Sequence, residues 1–454
     1  MAATLAPTLP KRPGPLSLDL ALTARKWASL DQDFFPPTPP LDYHSPKADL
    51  VSALPTSVLP NTKPLVAVLG VGYVGTHLIE NFSSKYDTLG YDISLKRIDE
   101  VEKQFTDNSR VKLTTNPKHL SEATHYLISV PTLLLSDKSI DSSYLRSALD
   151  TVATHARPGS TIVIESSVAV GMTRELLGPI AVAGRFFAGM SPERVDPGRI
   201  EPPAHAIPKV ISGLDDVAPG SLDSIMRLYS AVFDHVVPVS RPEVAEMTKL
   251  YENCQRMICI AYANEMADAC IPHGIDPFEV CSAASTKPFG YMPYMPGIGV
   301  GGHCIPVNPY YLLSNSSFPL LQAATETMWR RPGEIARRAI QSLTGGPDGK
   351  DRPGSSPRPR VLVVGVGFKR GQATLSNSPG LDLIRHLSLS GRVDVTFADT
   401  LVSQDSVPDV ARLDDDEWNR ETLESFDMII VNVHQVGFDF GLLSELQGVR
   451  VETW

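Results

Sequence analysis

Cys304 stands in the run GIGVGGHCIPVNPYY, residues 297–311, preceded by Gly299, Gly301, Gly302 and His303. Backbone this poor in side chains lets a substrate reach the sulfur, and a nearby cation would draw the thiol from its ordinary pKa of about 8.5 toward the nucleophilic thiolate. His303 adjoins the thiol, but sequence neighbours often point apart, so adjacency alone gives it no role. The other four cysteines, Cys254, Cys259, Cys270 and Cys281, fall in helix-like text and read as small core residues. A second set is Lys249, Asn253 and Arg256, spaced four and three apart and so sharing one helix face. On an isolated helix such a triplet is more often a solvated face than a site.

A nucleotide site is written nearer the N-terminus. Gly70-Val71-Gly72-Tyr73-Val74-Gly75 directly follows the strand-like VAVL and precedes the helix-like THLIENF. Glycines there allow a tight turn, bring backbone amides up to a pyrophosphate and seat the helix on the strand. Asp92 ends the next strand, 17 residues after Gly75, where an acidic side chain grips a ribose 2′-hydroxyl and disfavours a 2′-phosphate. NAD is therefore expected over NADP, with Lys96 and Arg97 on the following helix softening the preference. A second turn, Gly365-Val366-Gly367, lacks the third glycine at the expected place, and Phe368-Lys369-Arg370-Gly371 follow instead. Its sequence leaves open a nucleotide or diphosphate near Lys369 and a plain strand-to-helix turn.

These residues need elements to position them. LVAVL, DTLGYDI, THYLISV and STIVIESS are short apolar runs separated by helix-compatible text, the rhythm of a parallel sheet covered by helices. This first unit is expected to close near residues 211–213. Residues 240–275 read as one long helix, with Ser240 and Glu243 as a capping box, Pro242 in the first turn, and Pro272 and Gly274 as the stop. After the proline- and glycine-rich text of 345–360, VLVVGVGFK, VDVTFADT and FDMIIVNVH open a second alternating unit. Residues 1–62 are rich in proline and serine without a sustained period and read as a disordered arm.

Composition narrows the function classes. The chain has 454 residues, too many for one ordinary domain, and a formal charge of -10 that argues against a nucleic-acid or membrane-surface partner. No stretch approaches the ~18 to 20 apolar residues that cross a bilayer, and no spacing of cysteines suggests a metal or a disulfide framework. A cytoplasmic protein without a resident metal is expected.

The chain resembles the UDP-glucose/GDP-mannose dehydrogenases, the nucleotide-sugar 6-dehydrogenases. GVGYVG, VPT at 130–132, ESS at 165–167, SPERVDPG at 191–198, IPKVISG at 207–213, EMTKLYENCQR at 246–256, NEMA at 264–267, PGIGVGGHCIP at 296–306 and GVGFK at 365–369 carry the likeness in order. The resemblance implies two Rossmann-like doubly wound parallel-sheet domains joined by a long central helix within a helical middle domain. It divides the chain into a NAD-binding domain at 63–213, a central dimerisation domain with the cysteine loop at 214–344, a linker at 345–360 and a UDP-binding domain at 361–454. It also implies oxidation of a sugar carbon 6 from alcohol to acid with reduction of two NAD. In that chemistry a cysteine traps the aldehyde as a thiohemiacetal, which becomes a thioester that water releases. Cys304 is similar to that nucleophile, Lys249 with Asn253 to the oxyanion donors, Glu193 to the proton-handling glutamate, and Thr132 to the threonine that positions water. The implied cofactor residues are Gly70, Gly72, Tyr73, Val74, Gly75, Asp92, Arg97, Pro131, Thr132 and Ser167. For the nucleotide sugar they are Arg194, Lys209, Lys249, Asn253, Arg256, Tyr294, Gly297, Gly301 and Lys369. A homodimer through the central helix is implied as well. The HCIP text of the loop resembles the UDP-N-acetylmannosamine and UDP-N-acetylglucosamine branch, with UDP-glucose as the other substrate.

Three departures cut against full activity. Asn308 stands where the family has an aspartate beside the cysteine, and an amide takes no proton at neutral pH. Ser376 stands where the family has an arginine, and the arginine and asparagine usual around 324–333 are absent. These raise the alternative of an impaired homologue that binds NAD and nucleotide sugar as a sensor or partner subunit.

Overall fold

The computed structural model describes residues 63–135, 137–199, 201–345 and 357–454. The expected arm at 1–62 and residues 346–356 of the expected linker lie outside the described residues.

The first sheet is built from β1 (Leu65–Leu69), β2 (Asp87–Tyr91), β3 (Val111–Thr114) and β4 (His125–Ile128), followed by a small β5–β6 hairpin (Leu133–Leu134, Ile140–Asp141). It continues with β7 (Thr161–Ile164), β8 (Phe187–Met190), β9 (Lys209–Gly213) and β10 (Val236–Pro238). Their spatial order is β10-β9-β8-β7-β4-β1-β2-β3. Strands such as LVAVL and TIVI are buried along their length because helices cover both faces, the condition that favours a parallel sheet. β9 runs antiparallel to β8, and β10 pairs with β9 beyond Gly213. The sheet therefore extends past the boundary read from sequence. The stretch VVP is too short to announce a strand, and Pro238 is tolerated because it lies on an edge.

The helix Pro242–Cys270 follows and yields to a 3₁₀ turn at Ile271–His273, then to Gly274 in the left-handed region at φ 63°. The expected capping box does not form. Arg241 occupies the N-cap in an extended conformation, and Glu243 accepts from Arg174 Nε at 2.6 Å instead. A second long helix, Pro319–Thr344, carries Pro332 inside it, which hides it in the sequence as a break. The two helices are clamped by Asp268, which accepts from Arg331 at 3.0 Å and from Arg338 at 2.7 Å.

The C-terminal sheet contains β11 (Arg360–Val364), β12 (Asp394–Ala398), β13 (Ala411–Arg412), β14 (Met428–Val431) and β15 (Arg450–Thr453). It is parallel throughout, in the order β13-β12-β11-β14-β15. Both sheets reverse strand order at a central strand, β1 in the first and β11 in the second, and crevices for ligands open at the carboxyl ends of strands there. No helix among the described residues is long and apolar enough to cross a membrane, and they contain no cluster of three or more His, Cys, Asp or Glu that could hold a metal ion.

Candidate active site

The turn after β1 is shaped by its glycines. Gly70 has φ +86°, and a Cβ on Gly75 would lie 1.9 Å from the Gly70 carbonyl oxygen, so the helix Tyr73–Ser83 starts against the turn only because that atom is missing. A Cβ on Gly72 would meet nothing within 4 Å, leaving open space at the helix N-terminus. Asp92 accepts from Val71 N at 3.0 Å and from Ser94 N at 2.9 Å. Each of its oxygens thus keeps an acceptor position, and the side chain is partly exposed. An open cradle beside an ionisable acceptor fits the pyrophosphate and ribose of a dinucleotide. Arg97 donates to Val71 O at 2.8 Å and to Thr76 Oγ1 at 3.2 Å and pairs with Glu100. It braces the turn, so the expected softening of NAD preference by Arg97 does not follow from its geometry. Pro131 is exposed in the loop after β4, and Thr132 Oγ1 donates to Ser167 O at 2.9 Å across to the loop after β7.

Cys304 is exposed, whereas Cys254 and Cys270 are buried and Cys259 and Cys281 are half-buried. Burial pushes the Cys254 thiol up to about 12, which keeps it inert. The Cys304 carbonyl accepts from Asn308 N at 2.8 Å, tying the thiol loop to the helix Asn308–Leu313. Asn308 is 1% exposed and its Oδ1 accepts from Asn253 Nδ2, so the loop and the central helix meet through two amides. One turn before Asn253, Lys249 is also buried and stands within electrostatic range of Glu193. On the other side Tyr311 donates to Thr132 O at 2.9 Å; burial pushes its hydroxyl up to about 12, and the Cys304 sulfur adds to that rise. The structure thus brings Cys304, Asn308, Asn253, Lys249, Glu193 and Thr132 into one region.

The glycines before Cys304 serve more than access to the sulfur. A Cβ on Gly301 would lie 2.8 Å from Phe368 Cβ, and one on Gly299 would lie 3.0 Å from Pro379. Gly302, at φ +88°, donates to Ser376 O at 3.0 Å and accepts from Asn377 Nδ2 at 2.9 Å. The loop is bare because the C-terminal unit packs onto it. Gly297 is held by Asn264 Oδ1 at 2.8 Å and by Arg331 Nε at 2.8 Å. An arginine from 324–333 does reach this loop, from a position the family pattern does not mark.

Lys209 departs from its expected role. It is 2% exposed, and its Nζ donates to Glu165 Oε2 at 2.7 Å and Glu193 Oε2 at 2.8 Å, so it is not free for a nucleotide sugar. Burial pushes the Glu165 carboxyl up to about 7, while Lys209 and backbone amides hold Glu193 below the usual carboxylate range against the effect of burial. Within ESS the sequence marks Glu165 only as an acidic residue ending an apolar strand, with no task attached. Arg194 pairs with Glu252 at 2.6 Å and donates to Pro208 O at 2.8 Å. Lys369 reaches across to Asp196 at 3.2 Å and Pro197 O at 2.9 Å. Arg256 and Tyr294 are both half-buried and within electrostatic range of each other.

A doubly wound sheet whose glycine turn opens toward an acidic acceptor defines a dinucleotide-binding α/β protein. Residues 64–233 match the NAD binding domain of the UDP-glucose/GDP-mannose dehydrogenase family, and residues 243–327 match its central domain. The UDP-N-acetyl-D-mannosamine dehydrogenase of Pyrococcus horikoshii is 31% identical over 344 residues, 70% of this chain and 79% of that protein. The UDP-N-acetyl-D-glucosamine 6-dehydrogenase of Pseudomonas aeruginosa is 31% identical over 346 residues, 71% of this chain and 80% of that protein. The solved UDP-D-ManNAc dehydrogenase of P. horikoshii superposes with a TM-score of 0.70 at 27% identity, covering 82% of this chain and 90% of that one. The chain belongs to the UDP-glucose/GDP-mannose dehydrogenase family, and its cofactor is NAD.

Proposed function

We propose that this chain oxidises carbon 6 of a UDP-N-acetylhexosamine to the carboxylate, with UDP-glucose as the other candidate, through covalent catalysis at Cys304. The single observation that supports this reading is that Cys304 is exposed while its neighbours lead both ways: its carbonyl accepts from Asn308, which binds Asn253, and its sulfur is within electrostatic range of Tyr311, which donates to Thr132. When bound, NAD accepts a hydride from carbon 6 at each of the two oxidations. The Cys304 thiolate adds to the aldehyde to give a thiohemiacetal, with Lys249 and Asn253 donating to its oxyanion; loss of the second hydride leaves a thioester, which a water held by Glu193 cleaves to the acid, returning the thiolate. The relatives named above supply the substrate class. Gly70, Gly72, Tyr73, Val74, Gly75 and Asp92 would hold the dinucleotide, while Arg256, Tyr294 and the 297–301 loop would hold the nucleotide sugar. In the same reading residues 361–454 form the nucleotide-sugar domain. A homodimer would form through the exposed Val244, Met247, Tyr251, Tyr262 and Met266 of the central helix. The cytoplasm suits a chain with free cysteines.

Absorbance of NADH with NAD and a panel of UDP-sugars tests the reading: turnover with a UDP-N-acetylhexosamine is expected, and folded, NAD-binding protein that gives no NADH with any sugar would overturn it. That same result would favour the second reading, an impaired binding homologue. It rests on Asn308, whose amide offers no proton acceptor at neutral pH where the family carries a carboxylate.

A further inference from the structure

We infer that Lys209, backed by Glu165 and Tyr229, is a positioning device that keeps Glu193 ionised with one acceptor position open for water. It rests on Glu193 being the base proposed above. A carboxylate offers about four acceptor positions. On Glu193, Oε1 accepts from Arg194 N at 2.7 Å and Val195 N at 3.0 Å, and Oε2 accepts from Lys209 at 2.8 Å. One position is left, on Oε2. Lys209 commits two of its three hydrogens to Glu165 and Glu193, its ammonium lies 5.4 Å from the Phe233 ring centroid, and the residue is 2% exposed, so its charge is turned inward. Tyr229 fixes the far side by donating to Glu165 Oε1, and the Glu193 amide donates to the Glu165 carbonyl at 3.2 Å.

The arrangement is electrostatic as well as geometric. The charged and titratable groups facing Glu193 are Lys209 from β9, Glu165 from the end of β7, Tyr229 from the helix Ser221–Tyr229, Lys249 from the central helix and Tyr73 from the first glycine turn. Two buried carboxylates without Lys209 would compete to keep a proton, and a protonated Glu193 cannot take one from water. With the lysine present, Glu165 is the carboxyl that holds its proton more tightly and Glu193 the one that releases it.

The test is the pH profile of NADH formation in Lys209→Met, Lys209→Arg and Glu165→Gln. Lys209→Met should move the acidic limb up by about one pH unit with KM for the UDP-sugar nearly unchanged, which lowers kcat by about tenfold on that limb and little at pH 7. Lys209→Arg should restore most of kcat on that limb. Glu165→Gln should move the limb the opposite way, to lower pH, because Glu193 then has the cation to itself; this variant decides the matter if Lys209→Met does not fold. A rise in KM with an unmoved limb would overturn the inference by making Lys209 a substrate contact, and unmoved limbs in both Lys209→Met and Glu165→Gln would overturn it outright. Glu193→Gln separates the two levels. If it leaves the rate intact, Glu193 is not the base and both readings fall; if it stops hydrolysis while the limbs of the other variants stay put, only the positioning role fails.

Discussion

The two glycine turns are built on one plan and differ in what an insertion does to it. In the first, Gly70 donates to Tyr91 O, Ser129 Oγ donates to Gly70 O at 2.8 Å, and Gly75 supplies the close approach of the helix. In the second, Gly365 donates to Ala398 O, Asn432 Nδ2 donates to Gly365 O at 2.7 Å, and Gly380 stands 3.3 Å from the Gly365 carbonyl at its would-be Cβ. The missing third glycine is therefore present, fifteen positions after Gly365 where the first turn uses five. The intervening residues 368–378 dock on the cysteine loop through Phe368, Ser376 and Asn377. The acidic residues diverge too. Asp92 keeps acceptor positions and partial exposure, whereas Asp399 is 0% exposed and accepts from Val366, Gly367 and Leu401 amides. One turn is left open for a dinucleotide; the other has turned the same parts into a brace for the cysteine loop.

Alanine at the paired glycines should split the turns most widely. Gly75→Ala forces a Cβ against backbone that cannot yield, so loss of NAD binding and about 3 kcal/mol or more of stability is expected in denaturant titration with and without NAD. Gly380→Ala meets nothing closer than 3.0 Å and should cost less than about 1 kcal/mol. The paired aspartates come next. Asp399→Asn should lower stability by about 2 kcal/mol, since the buried charge is lost and the new NH2 group faces one or two of the backbone amides that the carboxylate accepted from, and leave NAD affinity unchanged. Asp92→Asn should do the reverse, weakening NAD about tenfold in calorimetry with little change in stability.

The clamp between the two long helices gives a pH-dependent effect of smaller size. Although burial opposes it, Arg338 and Arg331 hold the Asp268 carboxyl below its usual range. Its contribution is therefore present above the ordinary carboxylate pKa and lost as pH falls through the lowered value. Asp268→Asn should cost about 1 to 2 kcal/mol near neutral pH, discounted for partial exposure, and the deficit should shrink in acid. Least of all, Asn377→Ala removes one bond to Gly302 and should lower kcat about threefold through a looser cysteine loop, with NAD affinity intact.

What the sequence made legible follows the range of the interactions involved. The apolar runs of β1, β4, β7, β11, β12 and β14 and the first glycine turn are local patterns and stand where the text puts them. The exposed Cys304 and the shared face of Lys249 and Asn253 were visible for the same reason. Partners distant in the chain were not. The resemblance assigns Lys209 to the nucleotide sugar, but Glu165 and Glu193 close on it; Glu243 has the spacing of a cap, but Arg174 takes it; and Gly380 is concealed by the residues inserted before it. In sequence the glycines before Cys304 offer room for substrate, and their contact with Phe368 and Pro379 joins residues too far apart in the chain for any window of sequence to contain.

Covalent catalysis at Cys304 is tested most directly by acid-quenching the chain during turnover with NAD and a UDP-N-acetylhexosamine and weighing it intact. A mass increase equal to the acyl sugar nucleotide, located on Cys304 by peptide mapping and absent from Cys304→Ala, is predicted, with two NADH formed per sugar in the native chain. Full oxidation to the acid with the thiol unmodified, or with Cys304→Ala as fast as the native chain, would contradict it.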